Sequence, residues 1–161
     1  MIPGITAGQM RQAVAPPSAF RVWRVTVTDS LSSDSFKALI AEMVLLSAAG
    51  LPLSMAGVAA SSSTYGGAFG PDAAFDGNPS TGWSSADLAP LPQWLQITLP
   101  TAVEAKGLRL SSGDNSTRAA RMPTAFTLEA ASTDGAALIT KTSALGLAAW
   151  GVSETRDFTF S

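Results

Sequence analysis

The stretch from Ala74 to Trp83, AFDGNPSTGW, gathers a carboxylate at Asp76, an amide at Asn78 and a hydroxyl at Thr81 in one short loop. Oxygen donors converging at about 2.3 to 2.6 Å are what a hard cation such as calcium requires. The same residues also suit a metal-free turn in which Asp76 accepts from its own backbone. Glu42 is an odd charge in the apolar run Ile40 to Leu46, IAEMVLL. If buried it must be paired or on a metal; otherwise it points to solvent. A second chemistry is offered by Tyr65 and Phe69 in STYGGAFG, together with Asp114, Asn115, Arg118 and Arg121 in SGDNSTRAAR. A saccharide site needs an aromatic surface for the apolar face of the ring and polar groups for its hydroxyls. These residues supply both, but they also read as ordinary loop residues, with Arg121 bracing the strand that follows and Tyr65 lying against a sheet.

The 161 residues contain neither histidine nor cysteine. Disulfides, thiolate metal sites, cysteine nucleophiles and the Ser-His-Asp triad are therefore excluded. Asp72 and Asp76 lie close in sequence, but a glycosidase needs its two carboxylates about 5 to 9.5 Å apart across a cleft. A loop on a small domain offers no deep cleft, and no nucleophile-base pair is visible, so the chain is not expected to be an enzyme. Net charge is −2, from 10 basic and 12 acidic residues, which gives no electrostatic footprint for nucleic acid. The apolar run from Ala38 to Ala60 is interrupted by Glu42, Gly50 and Pro52 and has no basic flank, so no membrane insertion is expected. The first residues carry no basic region ahead of an apolar stretch and do not read as a secretory signal. Absence of cysteine fits synthesis in a reducing cytoplasm. Charged residues make up only 14% of the chain, which suits either packing against other subunits or a neutral β domain coated with Ser and Thr.

The elements that must carry these residues are read from periodicity. Residues 1–18, with Pro3, Gly4, Gly8, Pro16 and Pro17, read as an extended N-terminal arm. FRVWRVTVT from Phe20 to Thr28 alternates, with Trp23, Val25 and Val27 on one face of a strand. Phe36 to Ser47 is ambiguous between helix and strand, and its alternation predicts a strand beginning near Ile40. The polar stretch from Val58 to Ser85 is long for a plain loop, which points to function or bound structure. Trp94 to Pro100 sets Leu95, Ile97 and Leu99 against Trp94, Gln96 and Thr98; Leu108 and Leu110 share one side of the next strand; Phe126 and Leu128 oppose Thr127 and Glu129. ALITKTS and ETRDFTFS read as two more. About six to eight short strands without a convincing amphipathic helix predict an antiparallel β-sandwich or barrel.

In order, AAFDGNPSTGWSSA, PQWLQITLP, KGLRLSSGD and RMPTAFTLEAASTDG resemble the discoidin or coagulation factor 5/8 type C domain, the galactose-binding-like jelly roll shared by many carbohydrate-binding modules. The residues that carry the resemblance are Ala74 to Asn78, Thr81, Trp83, Trp94 in its WLQI strand, Pro123, Phe126 and Thr133 to Gly135. The order departs from the usual members at one point. Strands resembling RYWRL and IAEIE normally come last, whereas FRVWRVTVT and IAEMVLL come first here. This is similar to the permuted arrangement of bacteriophage tail, baseplate and fibre proteins, and it extends the resemblance to everything beyond the arm.

The resemblance implies an all-β, antiparallel jelly-roll β-sandwich (galactose-binding-like) over residues 19–161, preceded by the arm of residues 1–18. It implies a structural calcium held by Asp76, Asn78 and Thr81, with Glu42 and the Ala41 carbonyl. Trp83 and Trp94 fall at core positions of its motif. Its sugar-binding loops crowd one end of the sandwich, which makes Tyr65, Phe69, Asp114, Asn115, Arg118 and Arg121 the glycan-binding candidates. The function implied is a non-enzymatic structural component of a phage virion, made in the bacterial host cytoplasm and present in multiple copies. Its arm would contact other virion proteins, and its domain host-surface glycans. The alternative is a free-standing carbohydrate-binding module that recognises cell-surface glycans.

Overall fold

The computed structural model describes residues 17–161. The arm expected over residues 1–18 therefore lies, apart from Pro17 and Ser18, outside the described residues.

Alternation of β-branched and aromatic residues with polar ones builds the strands. In chain order they are β1 (Phe20–Ser30), β2 (Leu39–Ile40), β3 (Glu42–Leu46), β4 (Val58–Ser61), β5 (Trp83–Ser84), β6 (Gln93–Val103), β7 (Gly107–Ser111), β8 (Pro123–Ala131), β9 (Ile139–Ala144) and β10 (Thr155–Thr159). The described helical elements are short: two 3-10 turns at Gly67–Phe69 and Pro71–Ala74, and α1 (Ser116–Ala120). Five strands form one sheet in the order β4-β6-β1-β8-β9, three form a second in the order β10-β7-β3, and β2 pairs with β5. Every pairing is antiparallel.

The predicted β-sandwich is thus the fold, and its core lies between the two larger sheets. Trp23, Val25, Val27, Leu95, Ile97, Phe126 and Leu128 meet Met43, Leu45, Leu108 and Leu110, all fully buried or nearly so. Phe126 on β8 packs edge to face on Phe158 of β10, with ring centroids 4.9 Å apart. Trp23 lies 6.1 Å from Phe160, just beyond β10. Fully burying a large apolar side chain contributes roughly 1.5–3 kcal/mol, so this layer accounts for much of the folding free energy.

Three sequence expectations are refined. The Phe36 to Ser47 run forms strand, but β2 and β3 are separated at Ala41, where the chain passes from the small pair to the second sheet. The Val58 to Ser85 stretch is not one loop: β4 extends the five-stranded sheet against β6, and β5 pairs Trp83 with Ile40. Trp83 is fully buried as expected. Trp94 is not a core residue. Leu95, Ile97 and Leu99 face inward, and period-two geometry then turns Trp94 outward. There the Arg24 guanidinium lies over its indole, 4.1 Å from the centroid, and donates to Gln96.

The N-terminal strands complete both sheets: β1 lies between β6 and β8, and β3 forms the edge beside β7. A chain starting at Ser47 is therefore expected to lose cooperative unfolding, as read by calorimetry. A sharp transition in that fragment would show that the later strands close without β1.

Candidate functional site

Asp76 to Thr81 fold into consecutive side-chain-capped turns. The Asp76 carboxylate accepts the Asn78 N–H at 2.8 Å and the Thr81 hydroxyl at 2.9 and 3.1 Å. The Asn78 side chain accepts from Ser80 N–H, and the Asn78 backbone carbonyl accepts both the Thr81 hydroxyl and the Thr81 N–H. Asp76 thus makes the turn that a metal-free loop would make. The next residues bring this loop onto the strand that carries Glu42. Gly82 has φ +148°, and a Cβ there would stand 2.6 Å from the Cα of Ala41. Only glycine permits that approach.

Glu42 does not point to solvent. It is 9% exposed, and its Oε1 is buried without a hydrogen-bond partner. Burial pushes its carboxyl up to about 7; the Asp76 carboxylate adds in the same direction, and the N–H groups of Asn78 and Gly77 oppose it. Two facing carboxylates, one with an orphaned oxygen, together with the Thr81 hydroxyl and nearby carbonyls, form a donor set that suits a hard cation. Ala41 is buried at the bend between β2 and β3, against Gly82. Among the described residues, no group of three or more acidic side chains gathers to hold a metal. A cation here must therefore complete its shell with neutral oxygens.

The glycan candidates are brought together beside this loop as an aromatic edge. Tyr65, 57% exposed, lies 5.9 Å from Phe69 and 4.8 Å from Phe36. An arginine closes each end of the row: Arg118 lies 5.1 Å over the Phe69 ring and Arg121 4.6 Å over Phe36. Arg118 Nη1 donates to Asp114 Oδ1 at 2.9 Å and to the Ser80 carbonyl at 2.6 Å. Asn115 caps α1 by accepting from Arg118 N–H. Arg121 is committed inward, donating twice to Asp34 Oδ2. Burial works against ionisation of Asp34, but hydrogen bonds from Ser32, Arg121 and the Phe36 N–H hold its carboxyl below the usual range. Of the six candidates, Tyr65, Asp114 and Asn115 are exposed, Phe69 and Arg118 are partly buried, and Arg121 is drawn into the frame by Asp34.

Phe36 and Asp34 were missed in the sequence. The available signal was Asp34 at the end of a polar loop with an aromatic two residues later, but Phe36 was absorbed into the strand reading of the run that follows. The 140 Å³ recess beside Leu53, Ala56, Leu99, Pro100 and Val103 is lined mainly by apolar groups. It lies at the opposite end of β6 from Gln93, whose side chain accepts from Ser62 and Ser63 near the aromatic edge.

These features define a β-sandwich domain whose polar and aromatic chemistry sits on loops at one end. The F5/8 type C domain model matches residues 57–144, over half of the 161-residue chain, and the chain belongs to that family. Comparison with curated proteins and with solved structures gave no match.

The folded state holds the Glu42 proton to about pH 7, whereas the unfolded chain releases it near 4.5. Stability tied to this proton is full below 4.5 and is lost as pH rises through 7. In metal-free buffer, Glu42→Gln should therefore stabilise the protein above pH 7 by on the order of 2 to 3 kcal/mol. It should also flatten the pH profile between the two values. Denaturant titrations on both sides of this range measure it, and equal destabilisation on both sides would refute the buried-charge reading.

Proposed function

We propose that this domain is a non-catalytic saccharide-contact module, present in multiple copies on a bacteriophage tail, baseplate or fibre. The observation that carries the saccharide reading is the exposed Tyr65 ring beside Phe69, rimmed by the Arg118–Asp114 ion pair. Aromatic rings stack on the C–H face of a sugar, while a paired arginine and carboxylate offer donors and acceptors to its hydroxyls. The lack of histidine and cysteine removes the usual catalytic groups, and binding needs neither.

Support for the virion setting is the strand order. The chain enters the fold through FRVWRVTVT and IAEMVLL, the order that resembles the permuted phage form, and these segments supply β1, β2 and β3. In this reading residues 1–18 contact neighbouring virion proteins, and the domain faces host-surface glycans. A free-standing carbohydrate-binding module would use the same aromatic edge without needing those residues.

In the same proposal, Glu42 and Asp76 hold a structural calcium with Thr81, Asn78 and the Ala41 carbonyl. The ion would supply the charge that two facing carboxylates lack. Calcium should then raise the melting temperature, because a ligand bound only by the native state stabilises it by mass action. Glu42→Gln should abolish the increase, reversing the sign of its effect in metal-free buffer. An identical melting curve in calcium and in chelator would remove the calcium proposal.

The saccharide reading is tested on arrays of bacterial and cell-surface polysaccharides. Tyr65→Ala should lower the affinity for any bound glycan at least about tenfold, equivalent to 1.4 kcal/mol. Absence of signal from the parent protein would sink this reading. Deleting residues 1–18 should block incorporation into particles while leaving the melting transition intact. Normal incorporation would favour the free-standing module.

A further inference from the structure

Arg118 touches both halves of the site. Its Nη1 donates to the Ser80 carbonyl, inside the Asp76 to Thr81 loop, and to Asp114 Oδ1. Its guanidinium lies over Phe69, which contacts Tyr65. The stem of the side chain is fixed as well: a Cβ on Gly113 would stand 2.6 Å from Arg118 Cδ and 2.7 Å from its Cβ. Ser80 is itself held by donating its N–H to Asn78, the residue whose own N–H is held by Asp76. One planar group therefore joins the carboxylate loop to the aromatic edge, by hydrogen bonds of 2.6 and 2.9 Å on one side and a ring contact of 5.1 Å on the other.

We propose that Arg118 is a positioning residue that transmits cation occupancy at Glu42 and Asp76 to the aromatic edge at Phe69 and Tyr65. The proposal rests on the saccharide and calcium readings above and adds their coupling. The Asp76 carboxylate accepts from the Asn78 N–H and the Thr81 hydroxyl. A cation on Asp76 and Glu42 competes with these donors, so the turn from Asn78 to Thr81 resettles and carries the Ser80 carbonyl with it. Arg118 must follow or lose a charge-assisted hydrogen bond, and its plane over Phe69 moves. Linkage makes the effect reciprocal: whatever factor the cation adds to saccharide affinity, the saccharide adds to cation affinity. Buried, unpartnered Glu42 Oε1 gives the cation a reason to bind, and Arg118 gives its binding a route outward.

Calcium chloride alone, added to the full chain, is a sufficient probe. The chain has a single tyrosine, so selective ring labelling makes Tyr65 an unambiguous NMR reporter, while calorimetry reports calcium binding. In the parent protein, calcium is expected to bind and to shift the Tyr65 ring signals. In Arg118→Met, which keeps the stem but has no donors, calcium should still bind and the ring shift should be lost. Gly113→Ala, which keeps the guanidinium but displaces its stem, should give the same loss and guards against a folding defect peculiar to the first variant. The proposal is overturned if calcium does not bind, if it binds without moving Tyr65, or if both variants show the parent shift. Failure of the saccharide reading is seen separately, as an array without signal, and does not alter the Tyr65 result.

Discussion

The first described strand enters the centre of the five-stranded sheet, hydrogen-bonded on one side to β6 and on the other to β8, which begin at Gln93 and Pro123. The other long-range features depend on this pairing. Trp23, Val25 and Val27 supply the middle of the inner face, and Val22 and Phe20 are also buried. On the outer face, Arg24 joins Trp94 and Gln96 into a polar and aromatic layer. Without β1, β6 and β8 would not be joined into one sheet, and the middle of the inner face that packs on β7 and β3 would be missing. A central strand that comes first in sequence closes long loops, and the entropy of that closure must be offset by apolar burial.

The same N-terminal segment helps build the candidate site. The turn after β1 holds Asp34 through hydrogen bonds from Ser32, Phe36 and Arg121, and this seats Phe36 against Tyr65. A few residues later the chain enters β3 and delivers Glu42 beneath the Asp76 loop. Both halves of the site are therefore composite: each takes one part from residues 20–46 and another from the family-matched region 57–144. The site exists only where these segments meet.

Electrostatics differ across this small end of the domain. Asp34 is buried in part but well partnered, so it remains ionised. Glu42 is buried beside another carboxylate and has an unpartnered oxygen, so its charge is costly. The difference lies in donor supply: Asp34 receives a hydroxyl, an N–H and a guanidinium, whereas Glu42 faces Asp76, a second carboxylate that takes the Asn78 N–H and the Thr81 hydroxyl for itself. Arg118 links the loop beside Glu42 to the aromatic row through the Ser80 carbonyl and the Phe69 ring.

Much of the architecture was legible in local patterns. Period-two alternation marked β1, β6, β7 and β8 and assigned most of their inward residues, because sheet geometry converts alternation directly into facing. The AFDGN loop, Glu42 and the six glycan candidates were singled out from residue chemistry and resemblance. Short elements such as β4 and β5 were not legible, since their pairing partners stabilise them more than their own sequence does. Motif position placed Trp94 in the core, but alternation turned it outward. The sequence by itself determined which oxygens, rings and charges were available and the strand periods that carry them. Tertiary structure alone decided that Glu42 lies against Asp76, that Phe36 joins Tyr65, and that Arg118 spans the two. Those contacts join residues far apart in the chain, and no local preference encodes which strands become neighbours.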